Sequence, residues 1–396
     1  MLNLASATDR IALLNSYSQD LLDRTIPFWF PRCIDERFGG FLHCLDQDGS
    51  ILDTDKSVWA QGRMSWMLLT LYNTLKPNPD WLAWAESGLD FLRRFGFDRD
   101  GHMFFHLAQD GTPIRKRRYA YSEAFTSIAF AAHFKATQDP RSAELARKTF
   151  AHYLHCNFHP QGMAPKFTEH RPTIGLAPRM IAIVTAQELR SNLGPDPLWN
   201  QWIDQCISEI LGWFVKPDRQ AVMECVAPDG SLLNHMDGRV LNPGHAIEGA
   251  WFILREGIAR TNELWIQSSL NMMRWMLERG WDPKHGGLLY FVDIEGKPVQ
   301  EYWHDMKFWW PHNEAIIATL LAYEHTQDPS FAEWHARIHD WSRNHFFDEF
   351  HGEWFGYLHR DGSLSQTAKG NLWKSFFHYP RMLWACQHIL THGALP

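Results

Sequence analysis

The sequence predicts an all-α protein in which six helical hairpins close into an (α/α)6 barrel, with small β-hairpins in the loops at one end. Three observations carry this prediction. A short apolar stretch followed by an acidic residue and a glycine recurs, with the turn glycines at positions 49, 111, 230, 296 and 362. The segments between these turns show apolar residues at helical spacing. The last helical segment is as apolar as the central ones, whereas an open solenoid would end in polar capping repeats.

The spacing of the turns sets the number of repeats. The gaps between the turn glycines are 62, 119, 66 and 66 residues, and the gap of 119 spans nearly two units, with a degenerate copy near residues 161–163. Six units of roughly 60–65 residues follow, each a helix, a hairpin loop and a second helix. No Ser/Gly-rich linker interrupts them, so we expect one domain over residues 1–396.

The apolar periodicity assigns twelve helices. In the first, Ile11, Leu14, Tyr17 and Leu21 follow the 3.6-residue period. Every second helix follows a hairpin loop, and we expect these even-numbered helices to form the inner ring with their N-termini at one mouth. The predicted helices are near residues 7–27, 57–76, 80–95, 120–137, 140–157, 173–193, 196–215, 243–260, 263–279, 309–326, 329–346 and 372–391.

Composition excludes several classes of protein. The net charge is −7 with both signs mixed, and no basic run favours nucleic acid. Residues 1–24 lack the pattern of a secretory leader, and no apolar stretch is long enough for a membrane span. The six cysteines include no C-x-x-C pair, and so few cysteines in a chain of this length do not indicate a disulfide framework. A cytoplasmic protein is expected, and its 20 tryptophans and 22 histidines weakly favour sugar binding.

Residues 242–248 are the first candidate for the functional site. Asn242 is a good N-cap, and Pro243 suits the first turn of a helix. His245 and Glu248, three residues apart, then share one helix face. A neutral imidazole at a helix N-terminus is a sensible base where negative charge develops. The alternative is an ordinary capped helix with a hydrogen-bonded core histidine.

Similar polar residues recur near the start of the other even-numbered helices. They would converge on one cavity in a closed ring, although each alone could be a capping or solvated residue. Three tryptophans lie close by, and each could instead be a core residue. We predict substrate contacts for Glu248, Trp59, Trp309, Trp310, His312, Arg179 and Arg381, and we include Arg63, Ser122 with Glu123, Glu314 and His378 in the same mouth.

These residues suit proton transfer more than other chemistries. The chain has no H-E-x-x-H, Walker A or G-x-S-x-G motif. His245 and Glu248 could ligate a metal, but the other histidines lack standard ligand spacing, so no metal is expected. His378 lies among aromatic residues, where partial burial keeps an imidazole neutral. Two neutral imidazoles and an arginine could remove a proton beside a carbonyl and return it on the opposite face.

Several stretches resemble the N-acylglucosamine 2-epimerase family, whose animal member is also called renin-binding protein. They are residues 58–63, 242–245, 280–288, 307–312, 353–358 and 377–381, and the resemblance runs from about residue 20 to the C-terminus. It implies an (α/α)6 barrel that interconverts N-acetylglucosamine and N-acetylmannosamine, or a related free hexose, through a cis-enediolate. Relatives in the family epimerise cellobiose or interconvert mannose, glucose and fructose.

The resemblance also implies roles for individual residues. His245 and His378 match the two acid/base histidines, and Arg63 matches the arginine that holds substrate oxygens and stabilises the enediolate. Glu314 matches a glutamate needed for activity, by orienting a histidine or the substrate. Glu248 resembles a carboxylate that contacts the substrate or supports a residue that does.

The resemblance implies a reducing sugar as the small-molecule partner, no required cofactor and a homodimer. Nucleotide-activated members carry a Gly/Lys-rich loop after the fifth helix. Residues 157–166 of this chain hold one lysine there, which argues against ATP as an allosteric activator. The approaches to two inner helices, residues 176–180 and 371–375, also depart from the family pattern and could alter the pocket.

Three alternatives remain open. An aldose–ketose isomerase acting on mannose, fructose or glucose would use the same groups with proton return to C1. An inverting glycoside hydrolase of this fold needs two carboxylates roughly 6.5–9.5 Å apart, for which Glu123, Glu248 and Glu314 are candidates. A non-catalytic binding protein would have no activity for a histidine substitution to remove.

Overall fold

A computed structural model describes residues 2–116, 120–159, 163 and 166–395. Two segments of the chain are π-helical, namely Asp20–Thr25 and Ile210–Phe214. In these described ranges, no helix has an apolar run that could cross a membrane. The helices are α1 (Ala7–Gln19), α2 (Ile26–Trp29), α3 (Val58–Thr74), α4 (Pro79–Phe95), α5 (Tyr121–Thr137), α6 (Pro140–Phe158), α7 (Ala177–Leu193), α8 (Pro197–Glu209), α9 (Pro243–Arg260), α10 (Glu263–Gly280), α11 (Trp309–Thr326), α12 (Pro329–Phe346) and α13 (His378–His392).

The helices form a closed double ring, as the sequence predicts. Helices α3, α5, α7, α9, α11 and α13 pack side by side in this order, and α13 returns to α3. Each packs outward against one partner, namely α4, α6, α8, α10, α12 and, for α13, α1. Burial separates the layers, because 15 of 18 residues are buried in the inner helix α11 and only 6 of 18 in the outer helix α12. The predicted (α/α)6 barrel is therefore confirmed.

Short strands gather where the inner helices begin, but most of them pair differently from the prediction. Local pairs form between β1 (Cys44–Leu45) and β2 (Ile51–Asp53), between β4 (His106–Leu107) and β5 (Pro113–Arg115), and between β7 (Val215–Lys216) and β8 (Ala221–Val222). The other pairs join β3 (Lys56–Ser57) to β4, β6 (Ile174–Gly175) to β9 (Cys225–Val226), β10 (Val240–Leu241) to β11 (Val292–Asp293), and β12 (Lys307–Phe308) to β13 (Tyr357–Leu358). These four pairs link neighbouring units, because ring closure brings the loop of one unit beside the next.

The repeated acidic-glycine turns form as predicted. All five turn glycines, at positions 49, 111, 230, 296 and 362, have positive φ angles between 72° and 93°. Side chains other than glycine rarely adopt this backbone region. In four of these turns, the aspartate before the glycine accepts a hydrogen bond from the backbone N–H two residues further on. The degenerate copy near residues 161–163 falls largely outside the described residues.

A buried lysine–aspartate pair recurs at the mouth of the barrel. The Nζ–Oδ2 distances are 2.7 Å for Lys56–Asp35, 3.1 Å for Lys307–Asp282 and 2.7 Å for Lys369–Asp348. Each lysine lies in the segment just before an inner helix. The aspartates lie in the loops that follow α2, α10 and α12. Since an unpaired buried charge is costly, these pairs fix the loops against the ring.

Three predicted helix boundaries are wrong. The helix predicted from residue 173 begins at Ala177, because residues 174–175 pair with β9. The helix predicted over 372–391 begins only at His378. There the Asn371 side chain accepts hydrogen bonds from the next backbone amides, and buried Lys374 reaches Glu353 at 2.8 Å, so the chain turns before the helix starts. The first predicted helix, 7–27, is interrupted by its π-helical segment.

The buried ion pair between Lys56 and Asp35 leads to a prediction about the free energy of unfolding. Lys56→Ala leaves the Asp35 carboxylate without its cation, and we expect a loss of about 3–5 kcal/mol in the free energy of unfolding. Denaturant and thermal unfolding measure this loss. Lys297→Ala is the control, because Lys297 pairs with Glu295 on the exposed surface, and its unfolding curve should match the wild type. Equal stability of the Lys56 variant and the wild type would contradict the role of the pair.

Candidate active site

A cavity of about 950 Å³ lies inside the inner ring. Its lining is rich in aromatic side chains and includes charged groups from several inner helices. Most of the sequence-predicted residues come together here, since the lining includes Trp59, Arg63, His245, Glu248, Trp309, Trp310, His378 and Arg381. Closure of the ring therefore brings these positions together, although they are spread over more than 300 residues of the chain.

His378 is the first residue of α13, and its ring is held from behind. Its Nδ1 donates a hydrogen bond to Glu314 Oε1 at 2.8 Å, which leaves Nε2 as the nitrogen available to the cavity. Burial lowers the pKa of His378 well below its usual value, and the nearby charges of Arg381 and Arg63 lower it further. The imidazole is therefore neutral at physiological pH, as the sequence predicts.

A buried charge network surrounds this histidine. The Arg381 Nη2 atom bonds Glu248 Oε1 at 2.7 Å and Glu314 Oε1 at 2.5 Å. Trp251 Nε1 donates to the other Glu314 oxygen at 3.0 Å. Glu314 is fully buried and outside the cavity lining, so it positions His378 and Arg381. This geometry favours histidine orientation, one of the two roles that the resemblance implies for Glu314.

The surroundings of His245 shift its pKa in the opposite direction to that of His378. Its Nδ1 lies 3.0 and 3.1 Å from the two carboxylate oxygens of Glu224. Burial lowers the pKa of His245, but the charge and hydrogen bond of Glu224, with a contribution from Glu248, outweigh that effect and raise it above its ordinary value. The sequence did not anticipate this difference between the two imidazoles, because it did not reveal the carboxylate partner of His245.

The N-terminal turn of α9 sets the position of His245. Asn242 caps the helix as predicted, and its side-chain oxygen accepts from the His245 backbone N–H at 3.1 Å. A Cβ atom on Gly244 would come within 2.6 Å of the Trp310 ring. Glycine is therefore needed for this close approach of helix and indole.

Trp310 connects the two histidines. The centroid of its ring lies 5.1 Å from that of His245 and 5.9 Å from that of His378. Because both imidazoles contact one indole, they face the same compartment. Trp309, 6.1 Å from His378, extends this wall.

Arg63 lies among three aromatic rings. Its guanidinium carbon is 4.8, 4.0 and 4.7 Å from the ring centroids of Trp59, Phe125 and Phe377. Burial lowers the pKa of Arg63 to about 9, so it still carries its charge at neutral pH. Within the described ranges it has no ion pair, and its buried Nε has no hydrogen-bond partner. Its charge is thus available to an anionic oxygen in the cavity.

Two predicted substrate contacts are wrong, because His312 and Arg179 lie outside the cavity lining. His312 is fully buried, donates from Nδ1 to the Phe308 carbonyl at 2.7 Å, and accepts the Leu288 N–H at 2.9 Å. Burial lowers its pKa to about 3. Arg179 pairs with Glu209 at 2.7 Å beside the outer helix α8. Both side chains use their polar groups to hold the fold.

Sequence reasoning missed Glu224. The only available signal was an acidic residue within the apolar hairpin stretch 223–226, where the other repeats carry mostly apolar residues. It also missed several wall residues from loops of neighbouring units, namely Tyr290, Tyr357, Asn371 and Trp373. Their approach depends on the pairing of strands between units, which a single repeat does not specify.

A metal fits poorly at the most obvious cluster in the cavity. Single ligand atoms of Glu248, Glu314 and His378 lie within 4.8 Å of one another. However, the guanidinium of Arg381 already bridges the two carboxylates, and His378 already donates to one of them. A divalent cation would have to displace this fixed positive charge.

Comparisons with known proteins agree with the geometry. A model of the N-acylglucosamine 2-epimerase (GlcNAc 2-epimerase) family matches residues 40–380. The chain is 34% identical over 385 residues to N-acylglucosamine 2-epimerase of Mus musculus and 35% identical over 383 residues to that of Bos taurus, covering 94% of this chain and 90% of each relative. The structure of cellobiose 2-epimerase from Bacillus thermoamylovorans B4167 has the same fold, with a TM-score of 0.83 at 19% identity over 96% of this chain and 99% of that one.

The fold, the paired histidines and these relatives define a carbohydrate 2-epimerase, an isomerase. More specifically, the chain belongs to the N-acylglucosamine 2-epimerase family.

The contact between His245 and Glu224 leads to a prediction about the pKa of His245. Glu224→Gln removes the negative charge that favours the imidazolium, so we expect the pKa of His245 to fall below its ordinary value because burial then dominates. Histidine NMR titration measures this change, with His245→Asn identifying the resonance. Glu188→Gln is the matched control, because Glu188 also lines the cavity but bonds Trp66 and Arg255. An unchanged His245 pKa in Glu224→Gln would contradict the assignment.

Proposed function

We propose that this enzyme interconverts N-acetylglucosamine and N-acetylmannosamine by moving the proton on C2 of the open-chain sugar. The observation that carries the proposal is the pair of histidines, which contact one indole in one cavity but hold their protons differently. A reaction that removes a proton from one face of a carbon and supplies one to the other face needs such a pair.

The chemistry begins with the free aldehyde. Opening of the sugar ring makes the C2–H bond acidic because the C1 carbonyl can accept the electron pair. The base takes the C2 proton, the bonding electrons form the C1–C2 double bond, and negative charge collects on the C1 oxygen. Protonation of C2 from the opposite face, with return of the carbonyl, gives the epimer. The sugar loses one proton and gains one, while the base ends protonated and the acid unprotonated. Proton exchange with solvent restores both histidines before the next turnover in the same direction.

In this scheme His378 is the base in one direction and His245 is the acid. Neutral His378 offers Nε2, because Nδ1 is committed to Glu314. His245, with its raised pKa, carries the proton to be delivered. In the reverse direction the two histidines exchange roles. Glu314 and Glu224 act as positioning residues, because each fixes the ring orientation of one histidine.

Arg63 is the group suited to the developing oxyanion. Its charge is not neutralised by a neighbouring carboxylate, whereas Arg381 is bound to Glu248 and Glu314. A fixed positive charge beside the C1 oxygen stabilises the enolate that forms there. Trp59, Trp309 and Trp310 offer apolar faces on which the C–H groups of a sugar can pack.

The two other candidate enzyme functions, an aldose–ketose isomerase and an inverting glycoside hydrolase, are not equally well supported. An aldose–ketose isomerase would use the same histidines and deliver the proton to C1, so it is the second candidate function. An inverting hydrolase finds less support, because Glu248 and Glu314 are both bonded to Arg381. The third candidate, Glu123, accepts the Met103 N–H and does not line the cavity.

The remaining expectations from the sequence stay predictions. A free reducing sugar is the proposed partner, while the homodimer, the cytoplasmic location and the absence of a required cofactor are untested. The argument against ATP activation rests on residues 157–166, several of which lie outside the described ranges.

The reaction is tested by proton NMR in deuterium oxide. We expect N-acetylmannosamine to yield N-acetylglucosamine with deuterium at C2, because the proton on the acid histidine exchanges with solvent. Mannose and cellobiose are tested in parallel. Fructose formed from mannose would favour the isomerase, and no C2 exchange in any sugar would overturn the proposal.

Substitution of each histidine tests its role. We expect His245→Ala and His378→Ala to lower the epimerisation rate by about 10²–10⁴-fold or more, with circular dichroism unchanged. Each variant should still exchange the C2 proton of one epimer without forming the other, because one base remains. His325→Ala, on the exposed end of α11, is the control. Wild-type rates in either active-site variant would discard the assignment.

A further inference from the structure

We propose that His102, His152 and Cys156 form a Zn²⁺ site on the outside of the barrel. None of these residues lines the central cavity. His152 and Cys156 lie one turn apart on the outer helix α6, and His102 lies in the loop that leads to β4. This His–Cys cluster is independent of the proposed reaction.

The geometry of the His–Cys cluster matches a zinc site. One ligand atom from each residue lies within 4.8 Å of the other two. The Cys156 Sγ atom is 3.5 Å from His102 Nδ1. In a tetrahedral site, Zn–S bonds of about 2.3 Å and Zn–N bonds of about 2.0–2.1 Å place sulfur and nitrogen about 3.6 Å apart. The loop and the helix are therefore already spaced for coordination.

The polar atoms of the cluster are poorly satisfied by the protein alone. His152 Nε2 is buried and has no hydrogen-bond partner within the part of the chain that the structure describes. The rings of His102 and His152 meet edge to face, with centroids 4.4 Å apart. A thiol–imidazole hydrogen bond would account for Cys156 and His102 but would leave His152 without a role. A shared cation accounts for all three residues.

The ligand types select zinc. One thiolate and two neutral imidazoles form a set that Zn²⁺ commonly takes, with water or another small ligand in the fourth position. Nearby Asp100 does not compete for this role, because its carboxylate bonds Lys116 and the His102 backbone N–H.

The site would join the outer helix to a wall of the cavity. The residue after His102, Met103, donates its backbone N–H to Glu123 of α5 at 2.9 Å. Two residues further on, the Phe105 ring lies 5.3 Å from that of Trp59. Zinc would therefore fix α6 to the loop that supports Trp59.

Cobalt binding to the purified full-length protein tests the site directly. We expect one Co²⁺ per chain with the absorption of a thiolate-bound tetrahedral ion, displaced by one equivalent of Zn²⁺. Cys156→Ser should abolish the thiolate-to-cobalt band. His102→Asn and His152→Asn should weaken binding by about tenfold or more, because each loses a ligand. Zn²⁺ should raise the melting temperature of the wild type but not that of Cys156→Ser, since the ion stabilises only a folded state that binds it.

Matched controls separate the cluster from other thiols and imidazoles. Cys44→Ser removes a sulfur 4.0 Å from His43, a pair that has no third metal-ligating group beside it among the residues that the structure describes. His155→Asn changes an exposed histidine on the same helix α6. Both controls should bind cobalt as the wild type does. Absence of the thiolate band in the wild type, or its survival in a folded Cys156→Ser variant, would overturn the proposal. Loss of the band in Cys44→Ser would also overturn it.

Discussion

The arrangement of the cavity depends on the buried guanidinium of Arg381. Two carboxylates, Glu248 and Glu314, approach it, and one of them also accepts the hydrogen bond of His378. Without this cation the two buried carboxylates would repel each other, and unpaired buried charges are costly. The same group helps to keep His378 neutral. One arginine thus pairs with both acids and lowers the pKa of the base, while Arg63 is left to act on the substrate.

The two histidines differ because their carboxylate partners have different surroundings. His378 donates to a glutamate whose charge is shared with Arg381, so burial and nearby cations dominate its pKa. His245 donates to Glu224, which has a quarter of its side chain exposed and raises the pKa of the histidine. An enzyme that moves a proton across one carbon can use one imidazole that favours the charged form and one that favours the neutral form. This asymmetry places both in a single cavity.

Contacts that recur around the ring hold the described loops at the mouth of the barrel. Buried lysine–aspartate pairs at Lys56, Lys307 and Lys369 hold the approaches to inner helices. Strand pairs between neighbouring units tie one loop to the next. The aromatic and polar side chains that line the cavity come from these approaches and from the first turns of the inner helices. Stability of the mouth and geometry of the site therefore have the same physical origin.

The sequence by itself determined the repeat, the inner and outer helices and most of the residues at the mouth, because apolar periodicity and turn glycines are local signals. It also determined the N-cap residue Asn242, whose side chain positions the backbone of His245. Tertiary structure alone decided the pKa shift of His245, since Glu224 lies 21 residues earlier in the connection between α8 and α9. It also removed His312 and Arg179 from the site by giving them partners within the fold. A pKa and the direction of a side chain depend on neighbours that lie twenty or more residues away in the chain in these three cases, and only the tertiary fold brings them into contact.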